Sequence, residues 1–293
     1  MPWAARLSLI TACFLWAVSF IATKVALESA PPLSVVALRL AISAACFVVW
    51  IVVAERGFRL GGPRELARLF GLSLFGTGLH YGIQTIGLQY TTASNAALYA
   101  VTGPITIVLL AAVFLNEPIG RRKVVGIVIA VVGVLTVMGW DRLASAELGG
   151  HVLGDLLVLA SIVLWGMFTV FGKALTDELG ALRVTAMVTI IGALWMLPVG
   201  WTEGHLRGFS LEQVAPSGWA AIAFLGIGCS FLATFLYFVA LERTESQKVG
   251  VYLYTIPPMT AVIAAIYLGE VLTVSFFAGS LLVLSGVWLT ERG

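Results

Sequence analysis

Long apolar stretches separated by short polar connections run along the whole chain. Ten can be read, each about 18–25 residues long, which at 1.5 Å per residue is enough to cross the roughly 30 Å of hydrocarbon in a bilayer. The pattern therefore predicts an all-α integral membrane protein with ten transmembrane helices. The predicted spans are 6–27, 33–54, 67–88, 94–115, 123–140, 152–174, 180–201, 217–241, 248–268 and 273–290.

Composition supports this reading. Apolar residues make up 60% of the 293 positions and charged residues only 11%, too few charges to cover the surface of a soluble domain of this size. The connections leave no room for an extramembrane catalytic domain. The first stretch is too long for a cleaved signal peptide and carries Lys24 near its end.

The two halves of the chain repeat each other. Residues 88–133 align with 241–286 at a constant offset, and the first span aligns with the sixth. Each half holds five predicted spans, so the second half must enter the membrane inverted, as in many secondary transporters. We expect one five-helix repeat at 1–142 and an inverted one at 150–293. The alignment pairs Trp16, Lys24, Tyr99, Pro104, Glu117, Gly126 and Gly133 with Trp165, Lys173, Tyr252, Pro257, Glu270, Gly279 and Gly286.

Basic residues give the orientation. With the N-terminus inside, the cytoplasmic side receives Arg6, Arg56, Arg59, Arg64, Arg68, Arg121, Arg122, Lys123, Lys173, Arg183, Arg243, Lys248 and Arg292. The opposite side receives only Lys24, Arg39, Arg142 and Arg207. This bias predicts that both termini are cytoplasmic. No basic patch with interleaved aromatic residues suggests a nucleic-acid partner.

Polar residues inside spans avoid lipid, so their faces indicate the interior of the bundle. Two such faces belong to the first half: Ser73, Thr77, His80 and Gln84 in the third span, then Asn95, Tyr99, Thr102 and Thr106 in the fourth. The second half repeats them in its eighth and ninth spans. Four faces together favour a central pathway over a solid core, although any single Ser or Thr could equally serve helix packing.

Aromatic and polar side chains along these faces are the candidates for substrate binding: Trp16, His80, Tyr81, Gln84, Tyr99, Trp165, Tyr237 and Tyr252. Trp16 and Trp165 lie near the middle of their spans, away from the interfacial aromatic belt, where they either fill gaps between helices or offer a flat binding surface. His80 is either a hydrogen-bonded structural group or a pH-responsive one.

Charged and sulfur-containing residues give fewer indications of function. No carboxylate lies at the centre of a predicted span, which favours uniport or coupling through another group. Arg39 lies deeper than the other cations and needs a partner, with Glu28 or a helix C-terminus as candidates. The three cysteines lie within spans and imply neither disulfides nor a metal cluster. We expect no metal and no cofactor.

Backbone breakers also recur between the halves. Pro104 and Pro257 interrupt equivalent spans, which suits a gating hinge. Gly126 and Gly133, with their repeat partners, form small-residue faces on the fifth and tenth spans. These faces are either scaffold contacts or a dimer seam, so the oligomeric state stays open.

Several of these motifs resemble the drug/metabolite transporter superfamily, specifically its ten-helix carriers built from two EamA-type domains. The matching stretches are Leu15-Trp16-Ala17 leading to Lys24, Ala37-Leu38-Arg39, Thr91…Pro104, Leu115-Asn116-Glu117-Pro118, Leu164-Trp165-Gly166 and Leu268-Gly269-Glu270. Within the superfamily the chain is most similar to the YddG-type aromatic amino acid exporters of bacterial inner membranes. The resemblance implies alternating access around a central cavity, with the fifth and tenth spans as scaffold.

The leading hypothesis is an inner-membrane exporter of amino acids, aromatic or broadly neutral, and of related metabolites. A broad exporter of drugs or organic cations is the alternative within the same class, and the missing central carboxylate weakens it. A carrier of anionic substrates would need a basic residue in the cavity, which only Lys248 or Arg39 could supply. A membrane-embedded enzyme is the alternative of another class. It is disfavoured because no two histidines have metal-ligand spacing, so we expect a protein that is not an enzyme.

Overall fold

The computed structural model describes residues 1–53, 61–91, 99, 102–138, 152–268 and 274–293, and all regular structure in them is helical. The predicted link 141–151, Asn95, Glu270, Arg56, Arg59 and Arg142 lie outside these residues. Seven helices are continuous: α1 Trp3–Leu27, α2 Pro32–Val53, α4 Thr102–Phe114, α5 Arg121–Met138, α6 Val152–Leu179, α7 Ala181–Leu206 and α10 Val274–Glu291. Three helices each consist of two α-helical parts joined by a segment of different winding: α3 has Pro63–Ser73 and His80–Tyr90, α8 has Pro216–Phe224 and Thr234–Arg243, and α9 has Ser246–Gly250 and Ile256–Leu268. By length and composition, α1, α2, α6, α7, α8 and α10 can each cross a membrane.

Three of these helices change their winding along their length. A π-helical segment, Leu74–Leu79, joins the two parts of α3, and another, Leu225–Ala233, lies at the equivalent place in α8. A 3₁₀ segment, Val251–Thr255, precedes Pro257 in α9. Wider and tighter turns of this kind re-aim the side chains beyond them.

Repeat-equivalent helices pack antiparallel to each other. The start of α2 meets the end of α7, where Ser34 Oγ donates to the Gly200 carbonyl oxygen at 2.9 Å. The residues just after α4 meet the start of α9 through Glu117, and Gly126 at the start of α5 lies against Gly286 near the end of α10. An inverted repeat requires this antiparallel arrangement of equivalent elements.

Glycine lets α5 and α10 approach each other closely. A Cβ added at Gly133 would lie 2.6 Å from the Val283 backbone nitrogen and 2.8 Å from the Gly279 carbonyl oxygen. A Cβ at Gly286 would similarly meet the Ala130 nitrogen at 2.6 Å. Of the two predicted uses of these glycine faces, the structure therefore shows the intramolecular scaffold contact.

Carboxylates at helix ends cap the helices opposite them. Glu203 at the end of α7 accepts from the backbone N–H groups of Leu33 and Ser34, at 2.7 and 3.1 Å. Glu117 accepts from Ser246 and Gln247, at 2.8 and 3.1 Å. A negative charge stabilises a helix N-terminus, whose first N–H groups have no partner within the helix. These acidic residues therefore fix the ends of the bundle rather than its interior.

Candidate functional site

Two repeat-equivalent tryptophans meet in the interior of the bundle. The ring centroids of Trp16 on α1 and Trp165 on α6 lie 5.1 Å apart with an interplanar angle of 87°. Tyr237 on α8 contacts both rings, at 5.3 and 5.5 Å. Edge-to-face geometry at these distances is favourable for aromatic pairs. One side chain from the first half and two from the second thus form a common aromatic cluster.

His80 and Tyr81 extend the cluster toward α2. The His80 ring lies 5.1 Å from Trp165 and 5.0 Å from Tyr81. His80 Nδ1 lies 2.8 Å from the Ser161 carbonyl oxygen, and a carbonyl can only accept, so Nδ1 carries the proton. This bond ties the imidazole ring of His80, on α3, to the backbone of α6. The second polar atom of the imidazole is Nε2.

Polar groups within the cluster are few. The Tyr237 hydroxyl lies 3.2 Å from Thr169 Oγ1. Tyr237 is fully buried, and Trp16 and Trp165 are each less than 10% exposed. The aromatic residues predicted to line an open pathway are therefore in contact with one another, where a cavity was expected.

Three of the predicted site residues lie apart from this cluster. Gln84 is half-buried on α3. Tyr99 packs beside Leu88, Val158 and Ile162, near the start of α6. Tyr252 reaches the opposite end of the bundle, where its hydroxyl donates to Glu291 Oε2 at 3.1 Å. Arg6 binds the other oxygen of the same carboxylate, with Nε at 2.7 Å.

The predicted partners of Arg39 are wrong. Its Nε donates to Ser230 Oγ on α8 at 2.9 Å, and its guanidinium carbon lies 4.1 Å above the Tyr81 ring. Glu28 is exposed instead. The π-helical segment of α8 carries Ser230, and the one in α3 ends just before Tyr81. Sequence periodicity assumes a regular helix, so it could not place these two partners.

The prolines differ in what surrounds them. Pro104 is buried near the start of α4. Pro257 follows the 3₁₀ segment, at the second residue of the α-helical part of α9. In α9, the winding therefore changes from 3₁₀ to α-helical next to Pro257, which has no backbone N–H to donate.

Sequence reasoning missed the two π-helical segments. Each contains, or adjoins, a Gly-x-Gly pair: Gly76 and Gly78 in α3, Gly226 and Gly228 in α8. A Cβ at Gly76 would overlap the Phe168 ring, and one at Gly78 the Trp195 ring. These pairs are the signal that could have indicated close interhelical contact at equivalent points of the halves.

Within the described part of the chain, no three His, Cys, Asp or Glu side chains converge to hold a metal ion. The arrangement brings aromatic rings from both halves together, and it places the Arg39 guanidinium beside Tyr81.

Long apolar helices, repeated halves packed antiparallel and a buried aromatic cluster between them define an integral membrane protein of the repeat-transporter class. The model of the EamA-like transporter family matches residues 3–139 and again 152–292. The chain belongs to this family.

Relatives extend over nearly the full chain. A protein of Archaeoglobus fulgidus described as an uncharacterized transporter is 29% identical, over 94% of this chain and 95% of its own. A Bacillus subtilis protein, the uncharacterized transporter YvbV, is also 29% identical, over 94% and 88%. A probable terminal-alkyne amino-acid exporter of Streptantibioticus cattleyicolor is 26% identical, over 99% and 93%.

A solved crystal structure superposes with a TM-score of 0.80 over 98% of this chain and 97% of its own, at 22% identity. This similarity shows a shared fold.

Proposed function

We propose that this protein exports amino acids, aromatic or broadly neutral, and related metabolites across the bacterial inner membrane by alternating access. The chain forms ten membrane spans in two inverted five-helix repeats, 1–142 and 150–293, with both termini in the cytoplasm. The substrate site consists of the aromatic cluster together with Gln84, Tyr99 and Tyr252, which line the routes to the two sides.

The meeting of Trp16 and Trp165 carries this proposal. The two are repeat equivalents, and they touch at 5.1 Å in the interior. An inverted-repeat transporter holds its substrate between its halves, so residues on the pseudo-symmetry axis are those that a substrate would separate. The rings are closed on each other here, which fits an occluded state from which one mouth or the other opens.

Polar contacts between helices support the ten-span topology. Arg6 pairs with Glu291, Arg68 with Glu178 and Arg183 with Glu65. Each pair joins helix ends that the topology assigns to the cytoplasmic side. Thr91 and Asp155, with an oxygen–oxygen distance of 2.5 Å, join ends assigned to the opposite side. These pairings are consistent with the proposed ten spans.

The amino-acid assignment draws on the aromatic cluster and on the relative described as a probable terminal-alkyne amino-acid exporter. A broad exporter of organic cations would also use aromatic rings. The guanidinium of Arg39, next to Tyr81, opposes a cation in the same place.

Proteoliposome flux tests this function. Liposomes containing the purified protein are loaded with unlabelled phenylalanine, leucine or alanine, and uptake of the same labelled amino acid by counterflow is measured. We expect saturable counterflow for at least one amino acid, with tetraphenylphosphonium as the organic-cation comparison and empty liposomes as the blank. Flux of the cation with no flux of any amino acid would overturn the proposal in favour of the cation exporter.

The prolines supply the hinge in this mechanism. Because the halves are inverted, Pro104 and Pro257 loosen helices at opposite ends of the site. We expect Pro104→Ala and Pro257→Ala each to slow turnover more than they weaken binding, and to shift the resting conformation in opposite directions. Modification rates of a reporter cysteine placed at each mouth measure the shift. A shift in the same direction in both variants would mean that the prolines are passive breaks.

A further inference from the structure

Arg39 is a buried cation without an acidic partner in the part of the chain that the structure describes. The residue is 4% exposed and lies about two turns into α2, inside the membrane region. Every ion pair among the described residues that joins distant parts of the chain involves another cation, namely the Met1 ammonium, Arg6, Arg68, Lys123 or Arg183. A charge in such a place is costly, and intramembrane charges mark binding sites when they are not paired within the protein.

The contacts of Arg39 fix the guanidinium but leave its outer edge available. Nε donates to Ser230, and the flat face lies on the Tyr81 ring. Neither Nη atom has a hydrogen-bond partner among the described residues. The two Nη groups form the fork that binds a carboxylate through two parallel hydrogen bonds. The guanidinium is therefore held in one plane, and no hydrogen-bonding group of the described residues occupies its carboxylate-binding edge.

The position next to the aromatic cluster defines what could bind there. A chain of ring contacts runs from Tyr81 through His80 to Trp165. A ligand whose carboxylate meets Arg39 can therefore place an attached aromatic or apolar side chain among these rings. A purely cationic ligand would meet the like charge of Arg39 instead.

We propose that Arg39 is the anchor for the carboxylate of the transported substrate, and that the substrate class is small carboxylates with an aromatic or apolar side chain. The inference rests on the proposed transport function and names its substrate chemistry. Ser230 and Tyr81 act as positioning residues, because they orient the guanidinium and leave its outer edge open to the ligand.

A ligand series tests this on the wild-type protein, with no variant needed. Inhibition of labelled phenylalanine counterflow is compared for phenylalanine, 3-phenylpropionate, phenylalaninamide and 2-phenylethylamine. The two carboxylates should compete about tenfold or more better than the amide and the amine, because only they can form the charge-assisted pair. Equal competition by phenylalaninamide would overturn the proposal.

Variants test whether Arg39 is responsible for the preference for carboxylates. In Arg39→Gln, the preference for acid over amide should fall about tenfold or more, while inhibition by the amide changes little. Arg39→Lys keeps the charge without the fork and should retain part of the preference. Arg207→Gln is the matched control, since it removes an exposed cation from the same predicted side. Full preference in a folded Arg39→Gln, monodisperse on gel filtration, would show that Arg39 has only a structural role.

Ser230→Ala serves if Arg39→Gln does not fold, because it keeps the arginine and removes its Nε contact. We expect a reduced preference in this variant, and full preference in both Ser230→Ala and Arg39→Lys would overturn the proposal. If the wild type carries amino acids but the acid preference is absent or does not depend on Arg39, this inference fails alone. If the wild type carries none of them, the proposed function fails with it.

Discussion

Individual side chains in this protein show how a polar group is accommodated inside an apolar bundle. Sequence predicts His80 either as a hydrogen-bonded structural group or as a pH-responsive one, and in the structure its Nδ1–H donates to the Ser161 carbonyl oxygen. Burial of a donor without a partner costs about 1–3 kcal/mol, so such a bond holds the ring in place. Its orientation in turn positions Trp165 and Tyr81 at either side of it.

Trp165 is the residue whose removal should separate binding from packing most clearly. Trp165→Ala removes ring contacts to Trp16, His80 and Tyr237, and we expect apparent substrate affinity to fall several-fold, about 1 kcal/mol or more. Counterflow measured against substrate concentration gives this value. Trp201→Ala is the control, because Trp201 is 72% exposed and stacks only on His205 among the described residues. Equal affinity in both variants would return Trp165 to a packing role.

Lys123 shows how a buried charge is held at the end of a helix. Its side chain is 2% exposed and its Nζ lies 2.5 Å from Glu245 Oε2, in the connection between α8 and α9. Burial alone would raise the pKa of Glu245, but the hydrogen bonds and charges of Lys123 and Lys248 together outweigh it, so the pKa lies below its ordinary value of 4.5. A carboxylate with a lowered folded pKa stabilises the fold above its unfolded pKa.

This pair makes stability depend on acidity in a defined direction. The stabilisation from Glu245 is complete above its unfolded pKa of 4.5 and is lost as the pH falls through the lower folded value. We expect the melting temperature in detergent to fall between about pH 5 and pH 3 more for wild type than for Glu245→Gln. Glu212→Gln is the comparison at an exposed position. Parallel curves for wild type and Glu245→Gln would show that the ion pair contributes nothing to the pH dependence.

Among the helical elements, α5 and α10 pack closely against each other, and glycine makes this close contact possible. A Cβ at Gly126 would lie 2.7 Å from the Gly286 carbonyl oxygen and 2.8 Å from the Thr290 nitrogen, both backbone atoms that cannot rotate away. We expect Gly126→Ala to destabilise the protein by about 1–3 kcal/mol. Gly71→Ala, where an added Cβ meets nothing within 4 Å, should be neutral or slightly stabilising because alanine favours helix.

Melting temperatures of the two alanine variants in detergent check this expectation. A shift of about 2–4 °C per kcal/mol is expected for a chain of this size. If Gly126→Ala has the same melting temperature as wild type, the two helices separate more easily than their contact suggests. The scaffold role of α5 and α10 would then be wrong.

Helix positions follow closely from hydropathy, whereas helix ends and irregular turns do not. The predicted third span begins at residue 67, yet α3 begins at Pro63, because proline suits a first helical position and the charged Arg64 and Glu65 fall outside the apolar window. The predicted sixth span ends at 174, yet α6 continues to Leu179, followed by Gly180 at φ 81°. Hydropathy measures the length that faces lipid, while the backbone continues until a residue such as glycine ends it.

The candidate site was predictable in its chemistry and less so in its grouping. Trp16 and Trp165 stand out because the repeat aligns them, and Tyr237 and His80 because they lie on polar faces. The separation of Tyr252 from these four residues depends on the winding of α9, which the periodicity of the sequence cannot show. The Ser230 contact of Arg39 depends similarly on a π-helical turn that local pattern does not specify.

Over the whole molecule, the two ends are closed by different interactions. At the predicted cytoplasmic end, ion pairs between helices include Arg6–Glu291, Arg68–Glu178 and Arg183–Glu65. At the opposite end, the contacts between helices include the Glu203 caps and the Ser34–Gly200 and Thr91–Asp155 hydrogen bonds. Alternating access requires each end to open in turn. In the proposed alternating-access mechanism, we expect the ion pairs to favour the state that is closed to the cytoplasm.

Breaking those pairs should open the cytoplasmic end. We expect Arg68→Gln combined with Arg183→Gln to raise the rate at which a thiol reagent added from the cytoplasmic side modifies Cys13, which is buried one turn from Trp16. The measurement uses inside-out vesicles with Cys46 and Cys229 replaced by alanine, so that Cys13 is the single reporter. Each exposed ion pair contributes up to about 1 kcal/mol, so loss of two predicts a rate increase of several-fold to roughly thirtyfold. Arg64→Gln, which removes a neighbouring cation that has no ion pair among the described residues, should leave the rate unchanged.

If the double variant is labelled at the wild-type rate, the ion pairs do not hold the cytoplasmic end closed. Faster labelling from the opposite side would mean that the predicted orientation of the two ends is reversed.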